Sequence, residues 1–360
     1  MLNVNNSDSD KIVNIFLYEK GVLYDNLAFK DRSGVFEISM SVFFVVSMIL
    51  SVVGNVGTCA VIIRDRSMRT PTNYYLFNLA IADLTTAMFI PIEITVLWIP
   101  ELFGKITGHI VFLFWDLLCN CSVLTILALT IERYIVISKP FLRHTFVLSS
   151  RVFKILAANW AIAASFCILN VFYIYNIEEH TKIYVYFNSQ PSGHVVLLMA
   201  VEVIIFFIFP MLVITMLYAL ITIKLKTDQS LRHSPSFAKQ NRSKAIKMLG
   251  AVAASFFICW SPYSVLRIMA IVPKLRQKDY IIYWQIFCYL TCINSYASTA
   301  VNPILYSLMS RKFRRAFKVT FINTAVIIPT NIINAKVTLS VEIKVESLYG
   351  ISSGFKHSAI

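Results

Sequence analysis

Three carboxylates, Glu93, Asp116 and Glu202, interrupt stretches otherwise apolar enough for a membrane interior, and one basic residue, Arg267, lies at comparable depth. An ionised side chain in the middle of a span costs about 2.5–3.5 kcal/mol on insertion scales, so each of these must face other protein rather than lipid. Three acids against one base leave a negative hollow, which predicts a guest with a fixed positive charge. A guanidinium suits it best, because its planar fork can bind a carboxylate through two parallel hydrogen bonds. Trp98, Trp115, Tyr263, Trp284, Tyr289 and Tyr296 offer walls for stacking and cation–π contact. Two other outcomes compete. Arg267 can close an internal salt bridge with one acid, and Glu202 can simply pair with a neighbouring span.

A second ionic feature lies roughly 25 Å along the same helix from Asp116, at Glu132-Arg133-Tyr134 on the edge of a basic loop. Such a pair is tolerable only near the water boundary, where it can hold a bundle shut and later release it. A charged hollow at one end and a latch at the other suggest a membrane switch. Catalytic chemistry has no foothold: there is no nucleophile elbow, no HExxH and no glycine-rich phosphate loop, so no enzyme is expected.

The elements that must carry these residues follow from hydropathy. The chain is 57% hydrophobic and only 14% charged, against about a quarter charged in soluble domains, and its mean hydropathy is +0.68. Seven stretches reach the roughly 20 apolar residues a span requires: 36–63, 73–98, 106–138, 151–174, 194–224, 245–271 and 282–308. All are predicted helices, since lipid offers unpaired backbone groups no partner and no barrel-like alternation is present. The fold expected is an all-α membrane protein, a seven-transmembrane helix bundle followed by a short amphipathic eighth helix at 309–320. Residues 1–35 form a polar N-terminal tail, 36–308 the bundle and 321–360 a C-terminal tail.

Lys and Arg crowd the segments after spans one, three, five and seven, with Lys274, Arg276 and Lys278 as an exception. The positive-inside rule therefore places the N-terminus outside and the C-terminus in the cytoplasm. The net charge of +14 reads as topology and contact with membrane lipid headgroups, not nucleic-acid binding. Asn5-Asn6-Ser7 is a glycosylation sequon on the outer side. The cysteines, 59, 119, 121, 167, 259, 288 and 292, all fall within spans, so no metal site and no outer disulfide is expected. Residues 319–360 alternate apolar and β-branched side chains and suggest no function.

Gly54-Asn55, Asn78 through Asp83, Glu132-Arg133-Tyr134, Trp160, Pro210 with Tyr218, Cys259-Trp260-Ser261-Pro262 and Asn302-Pro303-Ile304-Leu305-Tyr306 occur in order, each in its own span. Together they resemble the rhodopsin-like (class A) receptors coupled to G proteins. Met68 through Phe77, Pro91-Ile92-Glu93 and Leu305 through Phe317 are more specifically similar to the neuromedin U and pyrokinin type neuropeptide receptors.

The resemblance implies a plasma-membrane receptor for an amidated peptide ending in a Pro-Arg-containing motif, with heterotrimeric G protein (Gq in this branch) and arrestin as cytoplasmic partners. Acids matching Glu93 and Asp116 would clamp the ligand guanidinium, while Arg267 and Tyr263 shape the amidated end, with Glu202 and Tyr296 nearby. Arg133 would pair with Glu132 at rest and reach Tyr218 and Tyr306 once span six swings out. Pro262 and Pro303 kink spans six and seven beside Trp260 and Asn302.

Asp83 needs compensation in mid-membrane, for which Ser122, Ser298 and Asn302 are oxygen donors; in the family such a cluster holds sodium, and otherwise the carboxyl is protonated and hydrogen-bonded. No other cofactor is implied. The sequence departs from the family at Gly108, where a cysteine usually staples the second outer loop, a link typically contributing about 2–4 kcal/mol. An amine receptor, a receptor-like protein without ligand control, and a transporter or channel remain the competing readings. An amine receptor would want its acid at Trp115, and a transporter or channel would show repeats or charge rings.

Overall fold

The computed structural model describes residues 34–99, 105–138, 149–180, 193–227, 236–276, 281–309 and 313–319. Span one is the helix Gly34–Arg64, span two Pro71–Ala87 continued by Ile90–Trp98, span three Lys105–Ser138 and span four Ser149–His180. Span five runs through Gly193–Val203, a π turn Ile204–Ile208 and Phe209–Thr227; span six is Ser236–Ile271 and span seven Ile281–Met309. A short helical segment at 313–319 follows, inside the stretch read as amphipathic. Six of these helices are long and apolar enough to cross a membrane. Span seven is long enough but more polar, and its Thr291, Ser295 and Thr299 are buried.

Local sequence explains the boundaries. Thr70 caps span two, its hydroxyl accepting from the Asn73 amide at 3.4 Å, with Pro71 at the first helical position. Span two then breaks at Met88–Phe89 and restarts with Pro91 in its first turn, where the missing proline N–H does no harm. Span six begins nine residues before the expected 245, because the basic stretch before the apolar run, rich in Lys, Gln and Arg, is itself helix-forming.

The two helix-interior prolines each strip a carbonyl four residues earlier of its usual donor. Pro303 frees the Thr299 carbonyl, which accepts from Asn55 Nδ2 of span one at 2.9 Å. Pro262 frees the Ile258 carbonyl, which Asn294 of span seven approaches at 3.5 Å and Ser261 Oγ at the same distance. Gly54 makes the first of these contacts feasible: a Cβ there would lie 2.6 Å from Pro303 Cβ. Spans two, three and four are joined through Asn78, which donates to Thr125 Oγ1 at 3.0 Å and accepts from Trp160 Nε1 at 2.9 Å.

The main core gathers Tyr75, Leu79, Ile126, Ile214, Ile221 and Phe256, among others, with Tyr134, Tyr218, Trp260 and Leu305 packed against it. Outward-facing Val42, Ile49, Ile168, Phe172, Leu212 and Met216 are exposed, the pattern of a lipid-facing surface. Cys59, Cys119, Cys121, Cys167, Cys259 and Cys292 are free thiols. The Cys288 side chain, the Gly108 surroundings, the loop at 181–192, Asn5 and residues 320–360 lie outside the described residues.

Candidate functional site

Arg267 sits two turns from Trp260 on span six and is buried between carboxylates from two other spans. Its Nη1 pairs with Glu202 Oε2 of span five, and its Nη2 lies 3.2 Å from Asp116 Oδ1 of span three. Its Nε donates to the Tyr263 hydroxyl at 2.7 Å, and that hydroxyl donates to Asp116 Oδ1, also at 2.7 Å. The guanidinium carbon lies 4.9 Å from the Tyr263 ring centroid.

Two asparagines complete the network: Asn120 Nδ2 donates to Asp116 Oδ2 at 3.0 Å, and Asn170 Nδ2 of span four donates to Glu202 Oε1 at 2.6 Å. Five polar groups from four spans thus converge around one guanidinium. Together with the guanidinium, their ionised forms sum to one negative charge. Asp116 is 1% and Glu202 3% exposed, so this excess is held away from water, where an electrostatic preference is strongest.

The geometry answers the two competing readings of Arg267 and Glu202. Arg267 forms an internal salt bridge with two acids rather than one, and Glu202 does pair with a neighbouring span. Neither pairing neutralises the cluster.

Glu93 belongs to a second group. The break in span two turns it inward, where it is 3% exposed and accepts the Tyr296 hydroxyl of span seven at 2.7 Å. Tyr296 in turn packs edge-on against Phe44 of span one, their centroids 5.5 Å apart. Glu93 and Asp116 therefore face the interior from separate clusters, one between spans one, two and seven and the other between spans three to six. Trp98, by contrast, is half exposed, and its Nε1 donates to Ser41 Oγ at 2.9 Å. The Trp284 side chain lies outside the described residues.

Trp260 separates two cavities. One, lined by Asp116, Asn120, Glu202, Tyr263, Ser264 and Arg267, lies on the ionic side. The other contains Asp83, Ser122, Ser295, Ser298, Thr299 and Asn302. Trp260 lines both, and its ring centroid is 5.7 Å from those of Trp115 and Phe256. A displacement of this ring alters both spaces at once.

In the second cavity Asn302 Nδ2 donates to Asp83 Oδ2 at 2.9 Å, while Ser122 and Ser298 donate to the carbonyls of Leu118 and Ser295. Those hydroxyl oxygens keep lone pairs for a cation. About 30 Å³ of water-sized space is available, room for an ion or a water or two. The all-oxygen donor set fits a hard cation. Among the described residues no group of three or more His, Cys, Asp and Glu could hold a metal.

At the other end, Glu132 and Arg133 attract each other at the inner end of span three. Glu132 lies beside Thr72, Tyr75 and Arg151. Tyr134 and Tyr218 pack against the core, and the Tyr218 ring lies over Gly250 of span six, in space that a Cβ would fill. The Tyr306 side chain lies outside the described residues. Sequence reasoning missed Asn170, Asn120 and Gly250 as partners. A lone amide in an apolar span and a glycine inside a helix were the available signals.

Comparison with known proteins agrees with the seven-helix architecture. The family described as 7 transmembrane receptor (rhodopsin family) matches residues 54–306. Human neuromedin-U receptor 2 is 31% identical over 309 residues, covering 80% of this chain and 72% of the relative. The pyrokinin-1 receptor of Drosophila melanogaster is 30% identical over 347 residues, covering 78% and 79%. The growth hormone secretagogue receptor type 1 of Mustela putorius furo is 31% identical over 290 residues, covering 74% and 76%. With this match running from Gly54 in span one to Tyr306 in span seven, the chain belongs to the rhodopsin family of seven-transmembrane receptors, the class A receptors coupled to G proteins, and is a receptor rather than an enzyme.

Proposed function

We propose that this receptor answers an extracellular amidated neuropeptide bearing arginine, of the neuromedin U and pyrokinin type, and signals from the plasma membrane through a Gq-class G protein. The N-terminus faces outward, so that the Asp116 end of the bundle opens to the ligand and the Arg133 end to the G protein. The observation that carries this reading is the sharing of one buried guanidinium by two buried carboxylates, which leaves a net negative charge for a cationic guest. The names of the relatives support the peptide class.

In this reading Asp116 and Glu93 receive the ligand guanidinium, while Arg267, Tyr263 and Tyr296 shape the surrounding surface. A hydrogen bond to a charged group contributes about 1.5–3 kcal/mol. Asp116→Asn is therefore expected to weaken an amidated Pro-Arg peptide about ten- to hundredfold in a calcium-release assay, with Glu93→Gln acting in the same direction. Potencies unchanged in both variants at normal surface levels would remove the clamp from consideration.

Sodium at Asp83, Ser122, Ser298 and Asn302 would favour the resting state and lower agonist affinity. Raising sodium at constant ionic strength should reduce peptide affinity in the wild type but not in Asp83→Asn. A wild-type affinity indifferent to sodium argues for a protonated carboxyl instead. Arrestin recruitment is a further expectation for a receptor of this type.

A further inference from the structure

One guanidinium, that of Arg267, is shared between two acids, and the surroundings of the pair assign Glu202 a task. The contact with Asp116 is a single Nη2–Oδ1 approach at 3.2 Å, longer than the 2.7–2.9 Å usual for a charge-assisted bond, while Nη1 of the same guanidinium pairs with Glu202. Asp116 meanwhile accepts from Tyr263 on one oxygen and Asn120 on the other. A carboxylate has about four acceptor sites. Three neighbours therefore leave Asp116 with capacity to spare.

Glu202 is braced from span four. Asn170 holds its second oxygen at 2.6 Å. The π turn Ile204–Ile208 begins two residues later. In an unbroken α-helix Glu202 and the buried Ile214, twelve positions on, would differ by roughly 120° around the axis. The extra residue taken up by the π turn removes most of that difference and keeps both on the inner face.

We propose that Glu202, positioned by Asn170, is a specificity-determining residue that holds the Arg267 guanidinium back from Asp116, so that Asp116 stays open to the cation of a ligand. Without Glu202 the same guanidinium would turn fully onto Asp116, making a two-pronged pair that competes directly with the incoming arginine. The receptor would then disfavour cationic peptides even though Asp116 remained in place. This rests on the reading of Asp116 as the ligand's charge partner, but its structural core can be measured without any ligand.

Glu202→Gln leaves the cluster with one acid and one base, a neutral pair, so folding is expected to survive the change. In the purified receptor, Asp116→Asn alone should lower the melting temperature only slightly, because Arg267 keeps Glu202. In the Glu202→Gln background the same change strips Arg267 of its last counter-charge, and the fall should be several times larger. Additive shifts would overturn the proposal.

The functional arm uses an amidated Pro-Arg peptide and its citrulline analogue, which keeps the shape and loses the charge. Glu202→Gln should lower the potency of the arginine peptide about tenfold and leave that of the citrulline peptide unaltered, at matched surface levels. Equal losses for both peptides, or none, would overturn the specificity role. A wild type silent to the arginine peptide, together with non-additive melting shifts, would fault the ligand assignment and keep the restraint of Arg267 by Glu202.

Discussion

Replacing Arg267 with methionine is expected to destabilise the receptor by about 3–5 kcal/mol, the usual penalty for stranding a buried charge without its partner. Two carboxylates, not one, lose their counter-charge here, and both are at most 3% exposed. Thermal melting of detergent-purified receptor and surface immunolabelling would record it. Neutralising the whole cluster, as Asp116→Asn with Glu202→Gln and Arg267→Met, should recover most of the loss, because well-packed neutral groups often replace buried ion clusters at little cost. A single Arg267→Met that melts like the wild type would mean the acids find other compensation.

The second large effect comes from two glycines with opposite consequences. A methyl group at Gly54 would stand 2.6 Å from Pro303 Cβ and 2.8 Å from its Cγ, atoms fixed in a ring on a kinked helix. Gly54→Ala must therefore push spans one and seven apart, at about 1–3 kcal/mol as for other overpacked cores. The Asn55 bond to the Thr299 carbonyl should weaken with it.

At Gly250 the intruding methyl meets the Tyr218 ring tip, with the hydroxyl 2.5 Å away. That is the far end of a side chain able to rotate. Gly250→Ala is thus expected to leave melting nearly unchanged while evicting Tyr218 toward the bundle axis and Arg133. A bias of about 1 kcal/mol corresponds to roughly fivefold in population, and basal nucleotide exchange on the G protein should rise accordingly. Adding Tyr218→Phe should cancel the rise. Basal exchange indifferent to Gly250→Ala would mean that this seat does not restrain Tyr218.

The bundle was readable because lipid imposes one rule on every span, that of helix with mostly apolar sides, and the break in span two and the greater polarity of span seven are too small to hide it. Glu93 was also readable: Pro91 two residues earlier forced a break that could turn the carboxylate inward. Counting acids against bases gave the sign of the Arg267 cluster but not its pairing. Which acid takes which nitrogen depends on the rotation of spans three, five and six, and the π turn that sets the rotation of span five has no mark in Ile204–Ile208, a run of apolar residues. Asn170 looked like any polar residue near a span end until the fold brought it to Glu202. The Glu132–Arg133 pair is a mixed case. Adjacency in sequence gave the attraction between the two charges, but not the company of Thr72 and Tyr75 from span two and of Arg151 around Glu132, which only the packing of spans two, three and four supplies.

The two proline kinks are not equally fastened. Span seven's loosened carbonyl is gripped across the bundle at 2.9 Å, whereas span six's has only approaches at 3.5 Å. Stiffness is therefore distributed unequally between adjacent helices with the same kind of bend. When force arrives near Trp260, the joint expected to yield is the one at Pro262, with the inner half of span six as the arm and span seven as its post.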